Sequence, residues 1–256
     1  LTAVERSLSF GTAAEHYDRV RPRYPVEAIR WILGADPEKA PKRVVDLGAG
    51  TGILSRQVAE LGHQVLPVEP DPKMRAQQPA ALNPLEGSAE SIPLPDRSVD
   101  AVVAGQAYHW FDTAKAHPEI ARVLRPGGVF APLWNVRDEA APWVAALSAI
   151  VGVGREDSGV HEGLRDHEQF GRWFAPTERA LFRHGTVHNA DSLVALIASR
   201  SYYLTADADR RAELEAEIRN LVATHPDLAG RDAFELPYVT VAYKAVRLDV
   251  ALEDHP

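Results

Sequence analysis

Val44-Val45-Asp46-Leu47-Gly48-Ala49-Gly50-Thr51-Gly52 is the most informative stretch of this 256-residue chain. The short apolar run from Arg43 to Leu47 has the composition of a buried strand. It stops at three glycines in alternate positions. Ile53, Leu54, Val58 and Leu61 then recur at helical spacing until Gly62, which ends that pattern. A strand, a glycine loop and a helix in that order let the backbone approach a ligand where any Cβ would clash. A tight turn with no ligand would also use glycine, so the flanking residues decide. A dinucleotide site would need G-x-G-x-x-G, and the third glycine position is occupied by Ile53. Asp46 would repel a pyrophosphate. It suits a ligand that carries positive charge.

Outward from that loop the strand–helix rhythm repeats. Pro25 opens a predicted helix through Leu33, as proline is welcome in a first helical turn. Predicted strands follow at Gln64–Glu69, weakened by Pro67, at Pro84–Gly87, at Val99–Ala104 and at Val129–Leu133. Helices are expected at Lys73–Gln78 and Thr113–Leu124. About five alternations in the first 135 residues mean parallel strands with helical crossovers. The second half changes character. Pro142–Val151, Ser192–Tyr203 and Asp209–Thr224 have helical patterns. Residues 152–177 have the Gly, His and charge content of a loop. Leu181–His188 and Tyr238–Leu248 alternate as strands.

Composition narrows the function. Some 45% of residues are hydrophobic and 25% charged, an ordinary globular balance. There is no cysteine, which excludes disulfides, zinc–thiolate sites and a cysteine nucleophile. The net charge of −8 argues against nonspecific nucleic-acid binding. No apolar run is long enough for a transmembrane helix. The first twenty residues lack the basic start, apolar stretch and cleavage site of a signal peptide. The expectation is therefore a cytoplasmic protein, with no nucleic-acid or membrane partner, as a monomer or homodimer. His161, His167, His184 and His188 are too scattered for a metal site, so none is expected.

The segment from Val44 to Gly52 resembles the first motif of class I S-adenosylmethionine-dependent methyltransferases, two hydrophobic residues followed by D/E-x-G-x-G-x-G. Three further matches follow in order. Glu69 stands where an acidic residue at the end of the second strand binds the ribose hydroxyls in that family. Gly87-Ser88-Ala89-Glu90 with Ile92-Pro93-Leu94-Pro95 resembles the segment that walls the adenine. Leu124-Arg125-Pro126-Gly127-Gly128 resembles the turn before the fifth strand. The resemblance covers about residues 43–135. It implies an α/β fold, a Rossmann-like doubly wound sheet of seven strands. These would be mostly parallel with an antiparallel last strand, and helices would cover both faces. It divides the chain into an N-terminal lid and helix (1–36), a cofactor-binding core (37–140), and acceptor-side helices with the last two strands (141–256).

By the same resemblance the cofactor is S-adenosyl-L-methionine and the product S-adenosyl-L-homocysteine. Asp46, Gly48, Ala49, Gly50 and Gly52 would hold the amino-acid half. Glu69 and Pro70 would meet the ribose, and Ser88, Ala89 and Glu90 the adenine. Gln106 would lie near the methionine part. His109-Trp110, and Tyr17 with Arg21-Pro22-Arg23-Tyr24-Pro25, are similar to features of the branch that includes trans-aconitate methyltransferase. That likeness implies that Tyr17 and Arg21 approach the cofactor. It also implies that Tyr24, Tyr108, His109, Trp110 and Trp134 shape the pocket of a small-molecule acceptor.

The acceptor atom stays open at this level. A hydroxyl or amine needs a base, for which His109 is the catalytic candidate. A carboxylate needs none, and Arg21, Arg23 or Arg137 could clamp it. Without cysteine, cytosine C5 methylation is excluded. Ala104-Gly105-Gln106 has neither the D/N-P-P-Y motif of adenine N-methylation nor a carboxylate for magnesium. The alternatives are a cofactor-binding protein of the same fold without catalysis, a protein or RNA methyltransferase, and a nicotinamide-dependent oxidoreductase, the last disfavoured by Asp46 and Ile53.

Overall fold

A computed structural model describes residues 21–34, 40–152 and 170–250. The expectations placed on Tyr17, His161 and His167 lie outside the described residues. The described residues form one six-stranded sheet. β1 (Arg43–Leu47), β2 (Gln64–Val68), β3 (Val99–Gly105) and β4 (Leu124–Arg137) are followed by β5 (Glu178–His188) and β6 (Phe234–Val246). Their order across the sheet is β2-β1-β3-β4-β6-β5. The first four pair in parallel. β6 runs antiparallel to both β4 and β5. The parallel half and the antiparallel closing strand match the sequence expectation.

The expected strand at Pro84–Gly87 does not form, so the sheet has six strands and not seven. Its remnant is a single parallel bridge between Val68 and Leu85. Leu85 donates to Pro67 O at 2.8 Å and accepts from Glu69 N at 3.0 Å. The pairing cannot spread. Pro84 has no N–H to add to the ladder, and Asn83 is left-handed at φ 48° and turns the chain away. Pro67 is tolerated because β2 is the outermost paired strand and needs no donor there.

Alternation places opposite residues of each central strand in different layers. Val45, Val102 and Phe130 join one cluster with Ala116, Ile120 and Val123 of α4 (Thr113–Val123). Val44, Val103 and Ala131 join another with Ile29 and Leu33 of α1 (Val26–Leu33) and with Leu54 and Val58 of α2 (Ile53–Glu60). A sheet covered on both faces needs apolar residues at every position, which is why the strands read as continuous apolar runs. α3 is the short helix Pro72–Arg75. α5 (Pro142–Ile150), α6 (Ala190–Ala198), α7 (Ser201–Leu204) and α8 (Ala208–Thr224) follow. α5, α6 and α8 build a third cluster over Phe234, Leu236 and Tyr238 of β6. The helix expected over Ser192–Tyr203 is broken in two at Ser199 and Arg200. Among the described residues no helix is long and apolar enough to cross a membrane, and no three His, Asp or Glu side chains converge as metal ligands do.

Candidate functional site

From β1 the chain crosses first to β2 on one side and later to β3 on the other. In open α/β sheets the crevice at such a reversal, outside the carboxyl ends of the strands, is where ligands bind. The glycine loop fills this position. Gly48, Gly50 and Gly52 have φ values of 69°, 56° and 82°, all left-handed. Each answers a different demand. A Cβ on Gly48 would stand 2.7 Å from Ala107 Cβ, so this glycine allows β1 and the loop after β3 to meet. A Cβ on Gly50 would meet nothing within 4 Å, so the loop presents bare backbone to open space there. Gly52 caps α2 in a left-handed conformation.

Two carboxylates flank this loop. Asp46 is 1% exposed, and its Oδ2 accepts from Ser55 Oγ at 2.6 Å. Burial pushes its pKa from 3.8 up to about 7, a rise that the Ser55 bond opposes and the charge of Glu69 adds to. Glu69 follows β2. Its Oε2 accepts from Gly50 N at 2.8 Å and its Oε1 from Asp71 N at 2.9 Å. Burial raises its pKa too, against those two backbone bonds. Each oxygen of Glu69 is thus held by one N–H and keeps lone-pair capacity for a further donor.

Two polar residues absent from the sequence-level reading complete this side. Gln78 Nε2 donates to Gly50 O at 2.8 Å. Its buried Oε1, and the buried Oδ2 of Asp71, have no hydrogen-bond partner. Orphaned acceptors beside an open glycine suit a ligand rich in N–H and O–H groups. Asp71 carried a local signal, since Asp before Pro is a helix cap, and its Oδ1 does accept from Lys73 N at 2.8 Å. Gln78 carried none.

The segment expected to wall the adenine folds as a tight turn. Ser88 and Ser91 exchange backbone hydrogen bonds at 3.3 Å each, and Ala89 is buried. Glu90 Oε1 accepts from Asp112 N at 2.9 Å, tying this turn to the start of α4. Pro70 lies exposed at the end of β2.

Beyond β3 the backbone is strained. Gln106 is left-handed at φ 56°, a conformation that side chains other than glycine rarely adopt. Its N–H donates to Leu133 O at 2.9 Å and its Nε2 to Asn135 O at 3.2 Å. Asn135 is the hub of this end of the sheet, and sequence reading missed it. Its Nδ2 donates to Pro22 O at 3.3 Å and to Arg23 O at 3.2 Å. Its Oδ1 accepts from Thr240 Oγ1 at 2.5 Å. The Arg21–Pro25 segment is thereby laid across the ends of β3 and β4. Tyr24 is clamped further by a two-way exchange with Gln57, at 2.9 and 2.6 Å. Its hydroxyl lies over Gly105, where a Cβ would come within 2.6 Å. Arg21 Nη2 reaches Ser199 O at 3.0 Å.

The aromatic residues divide into two groups. Tyr108 and Trp134 are 2% and 0% exposed in the core under α4. Tyr108 Oη is 2.7 Å from His117 Nε2. The sequence reading places Tyr108 and Trp134 at the acceptor pocket; here both side chains lie buried in the core behind His109. An aromatic beside a strand end looks alike in sequence whether it points into a core or a cleft. His109 and Trp110 are half-buried and packed together, ring centroids 4.7 Å apart. Trp134 Nε1 lies 3.3 Å from His109 Nδ1. Burial lowers the His109 pKa to about 4. Arg23, a clamp candidate, turns outward to pair with Glu60 on the surface.

Known proteins resemble the chain along nearly all its length. The model of a methyltransferase domain matches residues 45–131, which span the glycine loop, Glu69 and Gln106. An uncharacterized methyltransferase of Mycobacterium tuberculosis is 45% identical over 245 residues, covering 94% of this chain and 96% of the relative. An uncharacterized methyltransferase-like protein of Schizosaccharomyces pombe is 30% identical over 243 residues, covering 93% and 94%. The solved structure of a candidate type II methyltransferase from Anaeromyxobacter dehalogenans superposes with a TM-score of 0.63 at 24% identity. It covers 92% of this chain and 99% of that one.

Proposed function

The chain belongs to the class I S-adenosylmethionine-dependent methyltransferases, and on that premise we propose that it methylates a small molecule through a site built on Asp46, Gly50, Glu69 and His109. The observation that carries this reading is the pairing of two buried carboxylates, Asp46 and Glu69, around a glycine that opens to empty space. The residues present fit the cofactor. Asp46 offers negative charge at the loop where a cationic amino-acid moiety would lie. Glu69 is pre-oriented by Gly50 N and Asp71 N to accept ribose hydroxyls. When bound, S-adenosylmethionine supplies an electrophilic methyl group on a sulfonium. Asp46, Gly50 and Glu69 would hold that group so that its methyl carbon could meet the acceptor's lone pair, with sulfur as the leaving atom.

What the chain contributes is placement and dryness. The Arg21–Pro25 segment, pinned by Asn135 and Gln57, covers the ends of β3 and β4. Trp110 and Tyr24 stand at this end with π faces that suit a cation. His109 serves as a hydrogen-bond donor to the acceptor and not as a base. That favours an acceptor that needs no deprotonation, such as a carboxylate, over an alcohol or an amine cation. In this reading the Arg21–Pro25 segment ahead of α1 is part of the cover of the site, and the helices of the second half form the acceptor side.

Calorimetry with S-adenosylmethionine and S-adenosylhomocysteine tests the reading. Micromolar binding by the wild type, lost in Asp46→Ala and in Glu69→Ala, is expected. Binding that survives both substitutions would overturn the site. A nicotinamide cofactor that binds where neither sulfur ligand does would overturn the cofactor.

A further inference from the structure

We propose that Tyr238, Arg137 and Arg200, with Arg21 beside them, form a subsite for a carboxylate or phosphate group on the acceptor molecule. This inference rests on the methyltransferase reading and names the chemistry of its acceptor side. Arg137 ends β4 and stands opposite Tyr238 of β6 in the antiparallel register. On the other flank His184 of β5 is opposite Tyr238, and its ring stacks on the phenol at 5.6 Å and 23°. Arg21 reaches the carbonyl of Ser199, the neighbour of Arg200. Four parts of the chain far apart in sequence thus meet at one phenol.

Tyr238 is 1% exposed, and its Oη makes no hydrogen bond of good geometry, the Arg200 guanidinium standing close enough for only a weak one. A buried hydroxyl short of a well-formed bond costs up to about 1–3 kcal/mol. Natural folds keep such a cost where a function uses the group. Arg200, Arg137 and Arg21 all act electrostatically on this hydroxyl, against the effect of its burial. Among the described residues no carboxylate pairs with Arg137 or Arg200. The acid next to Arg137, Asp138, is already engaged by Arg183 and by Ala140 N. Like-charged guanidinium groups gathered at a desolvated hydroxyl repel one another until an anion neutralises them. Guanidinium forks and a phenol O–H, all donors, match the acceptor-only oxygens of a carboxylate or phosphate.

The cluster is joined to the methyl-donor side. Gln106, at the end of β3, bonds the carbonyl of Asn135. Asn135 and Arg137 project to the same side of β4, since side chains alternate along a strand. Asn135 also holds the segment that carries Arg21. An anion seated at Tyr238 would therefore fix the acceptor's orientation relative to the strained end of β3. It would also favour the observed position of the Arg21–Pro25 segment, which carries Arg21 to the carbonyl beside Arg200.

The test titrates the full chain, saturated with S-adenosylhomocysteine, with citrate and separately with inorganic phosphate at constant ionic strength in chloride. One-to-one binding of at least one of them is expected, and which one binds separates a carboxylate from a phosphate handle. The Arg137→Gln/Arg200→Gln double variant should lose at least about tenfold in that affinity, the scale of charge-assisted bonds. Tyr238→Phe removes only Oη and should weaken it about threefold to tenfold. Both variants should bind S-adenosylhomocysteine as the wild type does. Arg219→Gln, which breaks a surface pair with Asp191, should change neither ligand. If the double variant does not fold, Tyr238→Phe decides alone. Absence of saturable binding of either anion to the wild type, or affinity unchanged in Tyr238→Phe and the double variant, overturns the subsite. Failure of S-adenosylhomocysteine itself to bind would instead overturn the methyltransferase site, and the anion titration repeated without it would still judge the cluster.

Discussion

Trp134 donates its indole N–H to His109 Nδ1 across 3.3 Å. An indole nitrogen can only donate, so Nδ1 must be the unprotonated nitrogen of a neutral ring, and the proton sits on Nε2. With its pKa lowered to about 4 by burial, His109 is neutral across the physiological range and presents a donor. Long-range proton–nitrogen correlation spectra should find the Nε2–H tautomer, with no titration of this ring between about pH 5.5 and 9. At saturating cofactor the turnover rate should show no His109 limb in that window. His109→Gln, which keeps a donor, should retain far more turnover than His109→Leu. A rate inflection near pH 6.5 that vanishes in His109→Gln would restore the general base.

Asp46 and Ser55 make a second, opposite prediction about protons. The folded protein holds the Asp46 proton up to about pH 7, whereas an unfolded chain releases it near pH 4. The native state therefore binds the extra proton between those values. Stability contributed by this group falls as pH rises from about 4 to about 7 and stays low above that. Asp46→Asn should raise the melting temperature of the ligand-free protein by several degrees at pH 8, and by much less at pH 5. The same substitution should weaken cofactor binding at least about tenfold. In the wild type, cofactor affinity should decline below pH 7, where the carboxyl is protonated. A variant no more stable than the wild type at pH 8 would contradict the buried-charge reading.

Gly48 and Gly50 should respond differently to the same methyl group. Gly48→Ala combines a left-handed φ with a 2.7 Å clash against Ala107 Cβ, and should cost the fold about 1–3 kcal/mol or more. Gly50→Ala meets no atom, so its cost to stability is confined to the backbone penalty of about 1–2 kcal/mol. Its Cβ would occupy the space where the ligand approaches, and affinity for S-adenosylhomocysteine should fall more than stability does. Denaturant melts and calorimetry on the two variants separate these effects.

Asn135→Ala removes the donor to Pro22 O and Arg23 O and the acceptor for Thr240 in one step. A loss of about 1–3 kcal/mol is expected from the stranded groups. Hydrogen exchange should accelerate at Tyr24 N, whose own bond to Gln57 Oε1 then stands without its neighbour. Protection at Tyr24 unchanged in the variant would show that Gln57 alone pins the segment.

What the sequence disclosed follows the reach of each signal. The strand, glycine loop and helix around Asp46–Gly52 were readable because these elements are adjacent in the chain. The parallel order followed from the alternation of strand and helix patterns. The missing strand at Leu85 depended on Asn83 turning left-handed, which Pro84 alone did not announce. Asn135, Gln78 and Tyr238 were invisible because their roles exist only between distant segments. Asn135 and Pro22 are 113 positions apart when they bond. The deep burial of Tyr108 and Trp134 was not legible, because alternation along a strand gives the side of the sheet but not whether that side is core or cleft at its end.

The insertion of β6 between β4 and β5 also sets an order on synthesis. Among the described residues β5 pairs with no strand other than β6, and β6 extends to Val246. During translation, β1 to β4 can pair as soon as Arg137 has emerged. β5 must then wait, edge exposed, for roughly sixty further residues, a delay of several seconds at ordinary elongation rates. Alternating Arg179 and Arg183 with Leu181 and Val187 on the exposed face of that strand places charge where a waiting edge would otherwise invite the strands of other nascent chains.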